Sequence, residues 1–318
     1  MKQIVYIVCL LLLSNFTFSQ SNKQLQQIKP KWKLGDQKRV HTASISKIFL
    51  KDSLLNNTEV TGNYSIQVID TVKYYTLLYS NEPGSTGIET NSSVPKLDSA
   101  VNFFTGLIKN IENETNAFKY ELLVDKNTGQ AFKVKNGSKY IKMVEQVAAT
   151  MIDELGKKKG KTNTQIDSMK QKVIAYFKLS EPKILETAIN EFNYLMQAYS
   201  YTFLHNTTIS EKTMVHDVNA LGEFGGIEMP AVLTISSKQH NNRMTIQTDT
   251  DYDKDFLLGQ IKKKYKNMSE ITTSDIFLSE KAEAIFTTTN SWMISHKSNV
   301  IFIMKEVKVM NETIVSFQ

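Results

Sequence analysis

Any chemistry in this chain has to come from its five histidines, its acidic run, or its glycine-bearing and lysine-rich stretches. The histidines are His41, His205, His216, His240 and His296, and no two of them stand at i, i+2 or i, i+4. Those are the spacings that aim two imidazoles at one metal ion from a single strand or helix, so no zinc or iron site is expected. His216-Asp217 is the dipeptide most like a catalytic pair. Neighbours on a strand point to opposite faces, however, so it reads as a polar pair at a strand edge. No Gly-x-Ser-x-Gly elbow occurs for serine catalysis. Gly222 to Gly226 (GEFGG) lacks the Lys-Ser/Thr ending of a phosphate loop and the strand-glycine-helix order of a dinucleotide site. It reads as a flexible loop between strands, or as a lid over a site. Asp249, Asp251, Asp253 and Asp255 alternate as calcium ligands do, but an EF-hand loop needs glycine and glutamate where Lys254 and Gln260 stand. Negative charge entering a helix N-terminus explains the run. Lys157 to Lys159 with Lys161, and Lys262 to Lys264 with Lys266, are basic clusters with only Tyr265 interleaved. They read as solvated surface or, in an envelope compartment, as peripheral contact with an anionic membrane surface. The expectation is no catalytic residue, no metal ligand, no cofactor and no nucleic-acid partner.

The elements that would position a site are clearer. Phe118 to Asn136 (FKYELLVDKNTGQAFKVKN) is a hairpin in which Tyr120, Leu122 and Val124 alternate with polar neighbours. Asp125 to Gly129 supplies its turn, with Asn127 and Gly129 suited to positive φ, and Phe132 and Val134 lie on the return. Ala282 to His296 (AEAIFTTTNSWMISH) is a fainter counterpart. Each hairpin follows a stretch with helical spacing, Leu97 to Ile111 and Asp253 to Tyr265. The order suggests a pseudo-duplication over about 30–137 and 211–318, around a helical block at 138–205. That block carries three apolar stripes: Ile141 to Leu155, Ile166 to Phe177, and Ile184 to Phe203 with Ser180 as N-cap and Pro182 in the first turn. One-sided helices need a shared surface, and the extended segments at 37–49, 62–80, 212–218, 231–237, 243–249, 300–309 and 312–317 supply a sheet. Asn81 to Pro95 and Leu221 to Pro230 read as loops.

Two strand segments, Val72 to Tyr79 (VKYYTLLY) and Val300 to Met304 (VIFIM), are apolar or aromatic on both faces. A strand of that kind must be covered on both sides or line a cavity on one. Tyr64, Tyr74, Tyr75, Leu77, Tyr79, Phe302 and Met304 are therefore the candidates to line an apolar cleft, the alternative for each being ordinary core.

At the start of the chain, Lys2 leads into the apolar run Ile4 to Leu13 and then the more polar Ser14 to Gln20. The run is short for a membrane span and Thr17 and Ser19 suit signal peptidase, so residues 1–19 are read as a signal peptide. The single cysteine, Cys9, falls inside that run without the small neighbours of a lipidated cysteine. The mature chain then has neither disulfides nor thiol chemistry, and its formal net charge falls from +6 to +5 with the loss of Lys2. Export is expected, to the periplasm in the first instance or beyond the cell.

The Asn-Phe-Thr-Phe-Ser-Gln run at 15–20, the start Trp32, Leu34, Gly35, Asp36 and the late hairpin Asn290, Ser291, Trp292 resemble an uncharacterised family of exported Bacteroidetes proteins. Asp-Ser/Thr-apolar tripeptides at Asp52, Asp70 and Asp98 are similar to the O-glycosylation sites of such proteins. The order of elements is similar to the half-barrel of periplasmic lipoprotein carriers. That resemblance implies an α+β fold in which a curved antiparallel sheet, in two related halves, wraps around helices. It implies a non-enzymatic envelope protein that binds an apolar ligand such as a lipid or acyl chain. A structural or interaction protein of the envelope is the second reading, and a hydrolase the third.

Overall fold

The computed structural model describes residues 25–82, 87–92, 118–158, 160–215, 228–264 and 270–318. The expected signal peptide, the helix at Leu97 to Ile111, the pair His216-Asp217 and the glycines at 222–226 lie outside these residues.

The fold is α+β, built on one curved, open antiparallel sheet. In chain order its strands are β2 (Gln37–Leu50), β3 (Ser53–Asp70), β4 (Tyr75–Asn81), β5 (Gly87–Ser92), β6 (Tyr120–Val124) and β7 (Ala131–Val134). They continue with β9 (Thr208–Val215), β10 (Met229–His240), β11 (Arg243–Tyr252), β12 (Ile276–Thr287), β13 (Met293–Met304) and β14 (Val307–Phe317). The spatial order is β7-β6-β4-β3-β2-β14-β13-β12-β11-β10-β9, with β5 paired to the first half of β3. A small second sheet joins β1 (Gln26–Gln27) to β8 (Thr202–Phe203). The seam β2/β14 thus lies between the N-terminal and C-terminal strands.

The hairpin at 118–136 forms as β6 and β7. The Asp125 carboxylate accepts the Asn127 and Thr128 amides at 2.8 and 3.0 Å, and Gly129 takes a φ of +67°. Asn127 does not adopt positive φ, because the Asp125 side chain holds the turn without it. The later hairpin forms as β12 and β13, with arms longer than the alternation in 282–296 indicates.

Three helices are described: α1 (Gly137–Lys158), α2 (Asn163–Leu195) and α3 (Lys254–Lys264). The second and third expected stripes are one helix, not two. Thr162 caps α2 in a capping box with Gln165, and Pro182 lies in its interior. Residues 166, 173, 177, 184, 188, 192 and 195 keep steps of three, four and seven through the proline, so a single face runs the whole length. The helix stops at Leu195. Tyr199 lies in a 3-10 turn, Gln197–Ser200, and Phe203 in β8.

Two extended segments are hairpins rather than single strands. Within 62–80, the Asp70 carboxylate accepts the Val72 amide at 2.9 Å and turns the chain, leaving Val72 86% exposed. Within 300–309, Lys305 takes a φ of +52° and Glu306 pairs with Lys51 at 3.1 Å across the neighbouring turn. The expected loop at 81–95 contains β5.

The two segments that carry the family-like motifs meet. Trp32 and Trp292 stack at 4.5 Å and 16°, and the Trp292 indole N–H donates to the Asp36 carboxylate at 2.9 Å. Tyr199 closes the junction: its hydroxyl donates to the Ser291 carbonyl at 2.7 Å and accepts the Met293 amide at 3.1 Å. A Cβ on Gly129 would lie 3.2 Å from the Tyr199 ring, so both hairpin turns converge on this one side chain.

Candidate functional site

Register assigns every side chain to a face, because residues directly opposite each other in an antiparallel pair point the same way. The face that carries the helices holds two apolar cores at opposite ends of the same long strands. The first contains Trp32, Val40, Ile66, Leu77, Leu122, Phe192, Tyr199, Phe286 and Val315, and brings the C-terminal part of α2 onto the sheet. The second contains Tyr252, Leu257, Ile261, Leu278 and Phe302, and places α3 on β10 and β12.

Between these cores the same face is polar. One row across β11, β12, β13, β14, β2 and β3 reads Thr248, Ala282, Ser298, Thr313, Ser44, Val60. The next reads Thr250, Glu280, Val300, Asn311, Ser46, Thr58. A covered sheet face ordinarily carries apolar side chains at these positions, so a band of hydroxyl and amide groups under the helices is a departure that needs a partner. The α2 residue Tyr194 supplies one by donating to Thr313 Oγ1 at 3.3 Å, and the Tyr201 hydroxyl bonds the Thr248 side chain. Burial raises the pKa of the Tyr201 hydroxyl.

Two ionisable groups stand on this face, Glu280 in the band and His296 in the row beside it. His296, opposite Ala284 and Val315, is 3% exposed and its Nε2 has no hydrogen-bond partner. Burial lowers its pKa from 6.5 to about 4, so the ring is neutral at pH 7. Glu280 accepts the Tyr252 hydroxyl, and burial raises its pKa against the opposing effect of that bond. The two are one strand and four residues apart, about 14 Å, too far for an acid–base dyad. Asn311 and Asn56, the latter opposite Ile48 on the same face, each have a buried Oδ1 without a partner. Over β14, β2 and β3 the face is less covered: Ser44, Ser46, Thr58, Asn311 and Thr313 are half-buried and Val60 is 38% exposed.

The cleft candidates divide between the two cores. Tyr75, Leu77 and Tyr79 are buried in the first, and Tyr64 packs against it. The Tyr75 hydroxyl donates to the Pro30 carbonyl at 3.0 Å. Tyr79 stacks on Tyr64 at 5.5 Å, meets Phe192 edge-on at 5.7 Å and donates to Glu191 at 3.3 Å. Burial, with Glu191 beside it, raises the Tyr79 pKa. Phe302 lies in the second core with Met304 packed against it. Tyr74 belongs to neither, lying in the turn before β4 with its ring 4.9 Å from Phe132. The other face of β4 is also covered, at Thr76 and Ser80, and Ile301 and Ile303 are half-buried on the other face of β13.

Among the described residues no group of three or more His, Asp or Glu is arranged to hold a metal ion. The acidic run is accounted for locally: Asp249 pairs with Lys281 at 3.0 Å, and Asp253 accepts the Phe256 amide at 2.9 Å at the start of α3. The band itself went unremarked in the sequence. Its signal is there, since His296 and Ser298 interrupt one inward series and Asn311 and Thr313 another. It becomes legible only once the register of β13 and β14 is known.

No family model matches the sequence, and no curated protein matches it. A solved structure titled "Lipid-protein interactions in lipovitellin" is similar with a TM-score of 0.40 and 10% identity, over 91% of this chain and 25% of that one. This chain therefore spans about a quarter of that protein's length, and a likeness of this degree assigns neither a family nor a ligand.

Proposed function

We propose that the chain is an exported, non-enzymatic envelope protein that binds a ligand with an apolar portion, a lipid or acyl chain, on the helix-bearing face of its sheet. The observation that carries this reading is the apolar–polar–apolar order along that face. Half-buried Val309, at the edge of one core, stands at one side of the half-open stretch and half-buried Tyr64, at the edge of the other core, stands at the other. A ligand with a chain and a polar group finds both surfaces there within a few residues of strand. The start of the chain supports export, to the periplasm first. The run Lys262, Lys263, Lys264 in the last turn of α3 suits transient contact with an anionic membrane surface during loading or release. Among the described residues no helix is long and apolar enough to cross a membrane.

Solvent extraction of the purified mature protein followed by mass spectrometry tests the reading. Stoichiometric lipid or fatty acid in the extract is the expected result, and an extract free of both, from protein produced in a lipid-containing envelope, overturns it. The second reading, a structural or interaction protein without a small ligand, is favoured by one observation: Leu77, Tyr79 and Phe192 are fully buried in the first core, with the Tyr79 ring edge-on to Phe192.

A further inference from the structure

The polar band says what the head of such a ligand is. Resting on the reading above, we infer that Asn311, Ser46, Thr58 and Asn56, with His296 at the covered end, form a track for an uncharged polyhydroxyl headgroup, a glycosyl or similar polyol. The unpaired amide atoms on the track are the Asn311 and Asn56 carbonyl oxygens. They are acceptors, so what they lack is a donor. A buried acceptor without one costs free energy that a bound hydroxyl restores. By the register, Asn311 and Asn56 are two strands and one row apart, about 12 Å, so one hydroxyl or one ammonium cannot serve both. His296 lies about 14 Å from Asn311 on the opposite side, one strand across and four residues along. Several donors spaced along a chain are needed, which is the chemistry of a polyol.

Charge excludes the other head classes. No described residue of the two rows of the band is Lys or Arg, so a phosphate or carboxylate would be buried without a countercharge. An ammonium fares little better. Burial pushes Glu280 towards its neutral form and Tyr252 already occupies its carboxylate, while His296 is uncharged. The access is also right, since this is the stretch where Ser46, Thr58 and Asn311 are only half-buried.

Three probes with the same twelve-carbon chain separate the head from the tail. Dodecyl maltoside, laurate and dodecylammonium are titrated calorimetrically into the mature protein below their micellar concentrations. The maltoside is expected to bind at least tenfold more tightly than the other two. Asn311→Leu and, separately, Ser46→Val are each expected to weaken it at least fivefold while leaving laurate unchanged. Both variants remove groups that hold no internal hydrogen bond in the fold, and unfolding by urea confirms that each remains folded. Laurate or dodecylammonium binding as tightly as the maltoside overturns the inference, as do variants that bind the maltoside like the parent. Equal binding of all three probes removes the headgroup track but leaves chain binding standing. Binding of none removes the carrier reading and the track together.

Discussion

His296 is buried on the helix-bearing face with its Nε2 unpartnered, and its titration makes the cost of that burial measurable. The folded state holds the ring neutral, with a pKa lowered from 6.5 to about 4, whereas the unfolded chain takes up its proton near 6.5. Below 6.5 the unfolded state binds more protons, so stability is complete above that value and falls as the pH drops towards 4. The loss is about 3 kcal/mol by pH 4. Replacing the ring, as in His296→Leu, removes this dependence. The difference between variant and parent in urea unfolding should shift by about 2 to 3 kcal/mol in the variant's favour between pH 7.5 and 4.5. A constant difference across that range would mean that the ring is hydrated or charged in the fold. The Trp32–Trp292 junction makes a second claim at this scale. Trp292→Ala is expected to cost about 3 to 5 kcal/mol, as for other large buried side chains. Asp36→Ala should cost about 1.5 to 3 kcal/mol through the lost indole bond. The chain has two tryptophans and both lie at this contact, so their emission reports on it alone. The sequence marked Trp32, Asp36 and Trp292 as a motif. It offered no sign that residues separated by 256 positions touch, because contact at that separation is set by how the strands are ordered.

The helical block shows how far local spacing goes and where it stops. Serine and proline at 180 and 182 are a sound helix-start signal, yet the capping box at Thr162 and an unbroken apolar face carried α2 through the proline. An interior proline removes one hydrogen bond and crowds the preceding turn, at about 3 kcal/mol. Pro182→Ala should therefore raise stability by about 1 to 3 kcal/mol in thermal or urea unfolding. A helix restarted at Ser180 would gain nothing from that change. The α1–α2 hairpin depends on close approach at Gly156, where an added Cβ would stand 2.6 Å from Ile166 Cγ1. Gly156→Ala is expected to cost about 1 to 3 kcal/mol, and an unchanged midpoint would show that the two helices separate there. Strand limits were legible where glycine or alternation marked them, as in the hairpin of β6 and β7. They were not legible at Asp70 to Tyr74 or at Lys305-Glu306. In the first an aspartate side chain does the work of a glycine, and in the second two charged residues turn the chain between strands that read as one.

At the scale of the molecule, an open sheet with a core at each end of one face and a polar band between them is the feature to which a function has to answer. The α+β class, the curved antiparallel sheet and its helices were readable from alternation and one-sided stripes, since those patterns are what burial imposes on each element. The order of the strands was not, because pairing β2 with β14 is a choice between distant segments that no local pattern records. Nor was the division of the aromatic residues: Tyr75 and Tyr79 lie in the core that takes α2 and Phe302 in the core that takes α3, with the half-open stretch between them. Photolabelling decides most directly whether that stretch is used. A diazirine-bearing acyl chain is loaded onto the mature protein, irradiated, and its adducts located by peptide mass spectrometry. The account predicts adducts on Val60, Val309 and Phe302 of the helix-bearing face, competed away by unlabelled ligand. Adducts confined to Phe277, Met214 or Val232, or labelling that competitor leaves untouched, would contradict it.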